Sequence, residues 1–316
     1  MTWEVSLMEW LQANIPGPLI TFISQFSVFG EELALVAVMG FVYWCYDKEL
    51  GRKLGLLVCS ALIFNPMIKN LVFRLRPYME HSSIKCLRAV EPDADIMDVG
   101  AQGYSFPSGH STNAATIYPG IAVFGQGKRK LKWAISIVLM LFVGFSRVVV
   151  GCHYPTDVLC GWALGLVTVF IISFLYKKIK NLNIIFAMTA AIGAIGIFYC
   201  RTSDFFSAYG ILVGMLLSTP FEKKFVNFEP TRNPISSIIR LIGGAVVFFA
   251  LDELLKVPFA KEFLSSGTLA AHLVRCGRYM IAIFVSVAVY PMLFKFRIFS
   301  LESAERSEEG VGDGIY

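Results

Sequence analysis

The chain has 316 residues, of which 56% are hydrophobic and only 16% are charged, and its mean hydropathy is +0.63. These values exclude an ordinary water-soluble domain and indicate an integral membrane protein. The net charge of +5 comes mostly from basic connections between apolar stretches, so it reflects membrane topology and not nucleic-acid binding.

The first predicted element is a helix over residues 3–14 (WEVSLMEWLQAN), where apolar and polar positions alternate at roughly helical period before Pro16. Glu4 and Glu9 lie where a cleavable signal peptide would be basic, so no such peptide is predicted. The helix is expected either to lie in the membrane interface or to pack on the bundle. We assign residues 1–30 to this N-terminal interfacial segment.

Nine apolar stretches follow, each long enough to approach a ~30 Å hydrocarbon core at ~1.5 Å per residue. They lie near residues 33–46, 53–73, 109–125, 132–150, 156–176, 183–200, 204–220, 235–254 and 279–296. The sequence therefore predicts an all-α fold, a polytopic transmembrane helix bundle with about nine spans. We expect a core at 31–180, a C-terminal transmembrane extension at 181–300 and a disordered cytoplasmic tail at 301–316.

The distribution of charge predicts the orientation. Lysine and arginine collect at 47–53, 125–132, 177–180 and 221–234 and after Lys295, whereas the loop 78–105 carries five acidic residues. By the positive-inside rule, the basic connections and the C-terminus are cytoplasmic. Three polar motifs then share the extracytoplasmic side, whether periplasmic, extracellular or lumenal: 69–77 (KNLVFRLRP), 107–110 (PSGH) and 146–157 (SRVVVGCHYPTD).

The first two motifs are suited to holding an anion. Lys69 and Arg76 are seven residues apart, so both project from one helix face near its outer end. Arg74 is interpreted as an interfacial anchor that reaches towards headgroups. In the second motif, Ser108 and Gly109 begin an apolar helix, whose free backbone N–H groups form an anion site.

The third motif adds a candidate nucleophile. His153 and Asp157 are four residues apart, one helical turn. The carboxylate can accept the proton of one imidazole nitrogen and leave the other nitrogen with a free lone pair. Taken singly, His153 could be a hydrogen-bonded interfacial histidine and Asp157 a helix N-terminal charge. Three helix ends with the same chemistry on one side of the membrane favour a phosphate site.

As a set, these residues resemble the type 2 phosphatidic acid phosphatase superfamily, whose pattern is K-x6-R-P, then P-S-G-H, then S-R-x5-H-x3-D. Every specified position is matched, by Lys69, Arg76, Pro77, Pro107, Ser108, Gly109, His110, Ser146, Arg147, His153 and Asp157. The resemblance covers about residues 20–180, which makes 31–180 the expected catalytic core. It does not cover the remainder of the chain.

The resemblance implies a metal-independent phosphatase. His153 would be the nucleophile that forms a phosphohistidine, Asp157 its orienting partner, and His110 the general acid. The phosphate oxygens would be bound by Lys69, Arg76, Ser108, Gly109 and Arg147. Three cations and a helix end would stabilise the charge that other enzymes neutralise with magnesium. No metal site or cofactor is predicted, since the sequence has neither a two-metal carboxylate cluster nor a zinc spacing.

We therefore expect an integral membrane phosphatase that hydrolyses a lipid phosphomonoester or diphosphate on the extracytoplasmic side. Its expected partners are that substrate and membrane lipids, without nucleic acid, and its oligomeric state is not predicted. Two alternatives stay open, a lipid phosphotransferase and a non-enzymatic transporter or scaffold. The sequence does not separate isoprenyl diphosphate, phosphatidate, phosphatidylglycerophosphate, a long-chain-base phosphate and a soluble sugar phosphate.

Three further features have open interpretations. The loop 78–105 is either a lid or headgroup-selecting element or a solvated connector. Glycines spaced four apart predict close packing of helices within the bundle, at Gly161, Gly165, Gly210 and Gly214. Polar residues at the outer ends of two late spans form ion pairs or contact substrate: Asp252, Glu253, His272, Arg275 and Arg278.

Overall fold

The computed structural model describes residues 2–296 and 299, and in this part of the chain all regular structure is helical. The first seven α-helices are α1 (Trp3–Asn14), α2 (Gly17–Gln25), α3 (Glu32–Phe41), α4 (Lys48–Val72), α5 (Pro77–Glu80), α6 (Val99–Gln102) and α7 (Gly109–Phe124). The next seven are α8 (Arg129–Val149), α9 (Pro155–Ile179), α10 (Leu182–Ala194), α11 (Ser203–Phe221), α12 (Pro234–Leu254), α13 (Lys261–Leu264) and α14 (Leu269–Phe284).

Short π or 3-10 segments extend several of these helices. The 3-10 segments are Phe26–Gly30, Ile195–Phe198 and Tyr290–Lys295, and the π segments are Val42–Tyr46, Glu222–Val226 and Val285–Val289. The predicted all-α class is confirmed for the described residues. The tail predicted at 301–316 lies outside them.

The prediction of nine spans is not confirmed. Within the described residues, six helical stretches are long and apolar enough to cross a membrane, or seven if the bent pair Gly17–Gly30 and Ala34–Tyr46 forms one span. Two of the predicted spans are short helices in the structure. Helix α7 has 16 residues, and Leu182–Phe198 is likewise shorter than a full crossing. The predicted stretches 109–125 and 183–200 have nearly these lengths, so the error lay in treating stretches this short as full crossings.

The N-terminal helix α1 packs on the bundle with part of its surface. Val5, Met8 and Leu11 are buried, in one cluster with Val149 of α8 and Tyr154 before α9. Trp3 and Trp10 are exposed on the same helix. The location of this exposed face in the membrane interface remains a prediction.

Close packing of α7 against α9 aligns the second and third motifs. A Cβ at Gly161 would lie 2.7 Å from the Ser108 carbonyl oxygen, and one at Gly165 would lie 2.7 Å from the Ala115 Cβ. Both contacts are too short for a larger residue, so these glycines set the distance between the helices. The prediction that this pair mediates packing within the bundle is confirmed.

The C-terminal helices pack in the same manner. A Cβ at Gly210 would lie 2.3 Å from the Cys276 carbonyl oxygen, and one at Gly214 would lie 2.8 Å from the Met280 carbonyl oxygen. Helix α11 therefore lies directly against α14 and also contacts α4 of the core. At the end of α12, Asp252 forms an ion pair with Arg278, which confirms one of the predicted pairings.

Candidate active site

The three motifs meet around one cavity of about 500 Å³. Six of the eight candidate residues line it: Lys69, Arg76, Gly109, His110, Arg147 and His153. The other two, Ser108 and Asp157, are buried behind its wall. Residues separated by up to 84 positions in the chain are thus brought together by the ends of α4, α7, α8 and α9.

The contacts of His153 define which ring nitrogen is free to react. Its Nε2 lies 3.3 Å from Nη1 of Arg76, and an arginine side chain only donates hydrogen bonds. Nε2 must therefore be the unprotonated nitrogen, and the ring proton lies on Nδ1. That nitrogen is 3.4 Å from Ser105 Oγ, which can accept its proton. Asp157 Oδ2 is 3.7 Å away, beyond hydrogen-bond distance, and is linked to the ring through Ser105, whose hydroxyl donates to it.

Electrostatics keep the imidazole neutral. Burial, followed by the neighbouring charges of Arg76 and Arg147, lowers the pKa of His153 well below its ordinary value of 6.5. The side chain is 2% exposed, so the desolvation cost of an imidazolium is high. A neutral ring with its lone pair on Nε2 is the form that can attack phosphorus.

Asp157 is held by several donors at the start of α9. Its Oδ2 accepts hydrogen bonds from Ser105 Oγ and from the Tyr154 backbone N–H, the latter at 2.8 Å. Its Oδ1 accepts from Arg74 Nη1 at 2.8 Å. The carboxylate is fully buried, and these bonds fix its position. Through Ser105, which also contacts Nδ1, they help to orient the His153 ring.

Arg147 is the group whose surroundings most directly indicate an anionic ligand. Its side chain is 1% exposed, and among the described residues its Nε and Nη2 atoms have no hydrogen-bond partner. A buried cationic donor without a partner is costly, and native structures rarely retain one without use. A phosphate in the cavity would satisfy both donors in the bidentate geometry that guanidinium favours.

The other two cations complete the anion site. Arg76 is buried and is fixed by backbone carbonyls, with Nε 3.0 Å from the oxygens of Gln102 and Gly103 and Nη1 3.1 Å from that of Cys152. Lys69 lies across the cavity, where its Nζ is 4.0 Å from the position of a Cβ built on Gly109. The glycine hydrogen therefore faces the ammonium group and leaves that space open.

Ser108 acts as the N-cap of α7. Its hydroxyl accepts a hydrogen bond from the Ser111 backbone N–H at 3.4 Å and from Ser111 Oγ at 2.9 Å. Asn65 ties the same turn to α4, donating to the Pro107 carbonyl oxygen at 3.2 Å and to Thr112 Oγ1 at 3.0 Å. In both contacts the Ser108 oxygen accepts, so its O–H can still donate, and direct binding of phosphate through this hydroxyl remains a prediction.

Sequence reasoning missed a buried network that supports Asp157. The interpretation of Arg74 as an interfacial anchor is wrong, since its guanidinium bridges Asp157 and Glu4, the latter at 2.9 Å. Glu4 also accepts from the Thr156 hydroxyl at 2.6 Å and the Thr156 backbone N–H at 3.1 Å. The helix contains a second glutamate, Glu9, so composition did not show which of the two is buried against the core.

The loop 78–105 forms part of the site. Its Gln102 and Gly103 carbonyls bind Arg76, and Gln102 Nε2 donates to the Glu91 carbonyl oxygen at 2.9 Å. Arg88 ties the loop to the N-terminal region through Glu31 at 2.8 Å. The interpretation of this loop as a solvated connector is therefore incorrect for its second half.

Replacing Glu4 by glutamine should lower kcat with little change in KM. The change removes the negative charge that balances Arg74. A charge-assisted hydrogen bond contributes ~1.5–3 kcal/mol. If losing this bond disturbs Asp157 by that amount, the rate should fall by roughly 10- to 100-fold. Glu9→Gln, on the same helix, is the matched control. Equal kcat values for the two variants would show that the network does not support catalysis.

Comparison with known proteins places these features in a family context. Residues 50–181 match the family model described as the PAP2 superfamily. Residues 206–302 match a second model, described as the PAP2 superfamily phosphatase transmembrane extension. The first match contains all eight candidate residues, and the second contains most of the C-terminal helices. No solved structure gives a significant match.

Curated relatives match about half of the chain. Phosphatidylglycerophosphatase B of Bacillus subtilis is 33% identical over 180 residues, which cover 54% of this chain and 78% of the relative. Undecaprenyl-diphosphatase BcrC of the same organism is 31% identical over 173 residues, covering 54% and 77%. An undecaprenyl-diphosphatase of Sulfolobus acidocaldarius is 27% identical over 164 residues, covering 52% and 73%.

Proposed function

The chain belongs to the PAP2 superfamily of membrane phosphatases, and from this premise we propose that it hydrolyses a lipid phosphomonoester or diphosphate through a phosphohistidine intermediate. The observation that carries the proposal is the guanidinium of Arg147, two of whose donors have no partner among the described residues, in the same cavity as the unprotonated Nε2 of His153, which Arg76 Nη1 contacts until substrate binds. Together they provide a binding group for a phosphate and a nucleophile to attack it.

In the first step, the substrate phosphate binds between Lys69, Arg76 and Arg147. The lone pair on His153 Nε2 forms a bond to phosphorus as the bond from phosphorus to the leaving oxygen breaks. His110, which lines the same cavity, gives a proton to that oxygen, an effect worth about 10²–10⁴-fold. Burial and the charge of Arg147 lower the pKa of His110 well below 6.5 in the free protein, so this step requires that the bound phosphate dianion stabilise the protonated ring. The three cations stabilise the charge that spreads over the non-bridging oxygens.

In the second step, water attacks the phosphohistidine. His110, now neutral, takes a proton from the water, phosphate leaves, and Nε2 of His153 regains its lone pair. Ser105, held by Asp157, accepts the Nδ1–H hydrogen bond in both steps, so the ring keeps one tautomer throughout. An alcohol in place of water would give phosphotransfer with the same residues.

An extracytoplasmic active site is part of the proposal. It is supported by the basic residues that gather at the other ends of the core helices, such as Lys48 at the start of α4 and Lys177 at the end of α9. The active site lies at the opposite end of both helices. A cytoplasmic C-terminus follows from the same charge distribution.

The assay that tests the function measures release of inorganic phosphate by the purified protein in detergent. The panel contains lipid phosphates, lipid diphosphates and glucose 6-phosphate, each with and without EDTA. We expect hydrolysis of at least one lipid substrate, unchanged by EDTA, because Lys69, Arg76 and Arg147 supply the positive charge. Orthovanadate should inhibit, since it adopts the trigonal-bipyramidal geometry of the transferring phosphoryl group. A strict magnesium requirement, or activity only with an added acceptor alcohol, would contradict the proposal.

A further inference from the structure

The catalytic cavity continues beyond the phosphate site to a wall built by the C-terminal extension. From α11 and the residue before it, Thr202, Asp204 and Ser207 line the cavity, and from α14, Arg275 and Tyr279 do so. All of them lie beyond residue 181, where the match to the catalytic family model ends. The extension therefore provides side chains next to the site of reaction and is more than packing for the core.

This wall has a distinct polar character. Asp204 is exposed to the cavity, and it lies within electrostatic range of Lys69, as does Glu32 of α3. Glu91 of the loop lines the same space. Four carboxylates therefore line this cavity beside the cations that hold the phosphate, and one of them, Glu31, is paired with Arg88.

Arg275 adds a donor to this wall. Its Nε donates to Ser207 Oγ at 2.8 Å, which fixes the guanidinium against α11. The sequence interpretation left Arg275 between an ion pair and a substrate contact. Its neighbour Arg278 pairs with Asp252, whereas Arg275 faces the cavity, so only Arg275 is placed to meet substrate.

A second phosphate group placed close to carboxylates would be repelled by their negative charge. The leaving group of a diphosphate is itself a phosphate, and in this cavity it would meet the like charge of Asp204 and Glu91. Burial raises the pKa of Glu32, so its carboxyl adds less negative charge. A leaving group with hydroxyl or amino groups would instead donate hydrogen bonds to these carboxylates. Arg275 could donate hydrogen bonds to acceptor oxygens farther along such a headgroup.

We propose that the C-terminal extension forms the headgroup subsite of this enzyme, and that it selects lipid phosphomonoesters whose leaving group carries hydroxyl or amino groups next to the phosphate. This inference rests on the proposed phosphatase function and narrows its substrate class. Asp204 and Arg275 are its specificity-determining residues. Glu32 and Glu91 complete the subsite from the core.

The test compares kcat/KM of the full-length protein in detergent micelles for four lipids and one soluble ester. Phosphatidylglycerophosphate has a hydroxylated leaving group, and sphingosine 1-phosphate has one with both an amine and a hydroxyl. Phosphatidate has neither group, and farnesyl diphosphate has a phosphate as leaving group. Para-nitrophenyl phosphate is too small to need the subsite and reports on the catalytic core of the wild type.

The wild type should prefer the first two lipids over the last two by at least about tenfold, because sites built to hydrogen-bond a substrate group reject analogues that lack it. Asp204→Asn should reduce this preference and improve the relative rate with farnesyl diphosphate. Arg275→Gln should raise KM for phosphatidylglycerophosphate. Glu253→Gln, on the exposed end of α12, is the matched control and should keep the wild-type ranking.

A wild type that prefers farnesyl diphosphate or phosphatidate would overturn the inference without reference to any variant. So would an unchanged ranking in Asp204→Asn. Preference for phosphatidylglycerophosphate alone would identify hydroxyl recognition, and preference for sphingosine 1-phosphate alone would identify amine recognition. Absence of hydrolysis with all five esters would instead contradict the phosphatase function itself, which keeps the two failures distinguishable.

Discussion

His153→Gln is expected to abolish phosphate release, with a loss of about 10⁴- to 10⁶-fold, the range found when a covalent nucleophile or its essential partner is removed. The lone pair on Nε2 is the group that attacks phosphorus, and the glutamine amide has no comparable nucleophile. The protein should stay folded, since His153 contributes few contacts to the apolar core. Its neighbours Arg76 and Asp157 keep their other partners in the variant.

The loss is measured as single-turnover phosphate release from a lipid substrate of the wild type. His81→Gln is the matched control, because that histidine lies outside the cavity and the substitution is chemically the same. Thermal unfolding in detergent shows whether both variants are folded. Residual activity within tenfold of the wild type in folded His153→Gln would rule out His153 as the nucleophile.

Arg147→Met is expected to lower kcat/KM by about 10²–10³-fold, the usual cost of losing one donor that stabilises a charged transition state. The same substitution should leave the midpoint of thermal unfolding unchanged or raise it. In the free protein this guanidinium is buried with two unpaired donors, and methionine removes that penalty while keeping much of the volume. Loss of activity with gain of stability distinguishes a ligand-binding arginine from a structural one.

Orthovanadate provides a second readout for Arg147. A ligand that binds only the folded state raises its stability, so vanadate should raise the unfolding midpoint of the wild type but not of Arg147→Met. Arg278→Met is the contrasting variant, since that arginine is paired with Asp252 and its loss should destabilise the protein. A fall in unfolding midpoint for Arg147→Met as large as for Arg278→Met would indicate that Arg147 is structural.

The sequence was sufficient to locate the site because its chemistry is carried by short motifs at helix ends. Lys69 and Arg76 were expected on one helix face, but α4 ends at Val72 and Arg76 lies in the extended segment before α5. His153 likewise precedes α9, which begins at Pro155, so its spacing to Asp157 is not one helical turn. Six of the candidate residues nevertheless line one cavity, because the motifs stand at neighbouring ends of packed helices.

Contacts between distant segments could not be predicted in this way. Glu4 meets Arg74 across 70 positions, and Ser105 meets Asp157 across 52. No local spacing rule predicts either pair. The residue types that form a buried ion pair are also the same as those that form an exposed one. The number of spans was overestimated for a different reason, because α7 and Leu182–Phe198 have about the predicted lengths but are shorter than a full crossing.

The extension illustrates the same limit. Its glycine spacing predicted the packing of α11 on α14, which the structure confirms. That Asp204 and Arg275 line the catalytic cavity depends on how α11 lies against α4, and no motif encodes it. Substrate selection is therefore the part of the function that required the structure.

The central claim is that His153 carries the phosphoryl group on Nε2, and rapid-quench trapping tests it most directly. The protein is mixed with a ³²P-labelled lipid phosphate, quenched in alkali within milliseconds, and digested for mass spectrometry. We expect an alkali-stable, acid-labile phosphate on His153, in the Nε2 isomer, that forms and decays within one turnover. Turnover without any phosphohistidine at this position, or phosphate on another residue that appears and decays at the rate of turnover, would contradict the mechanism.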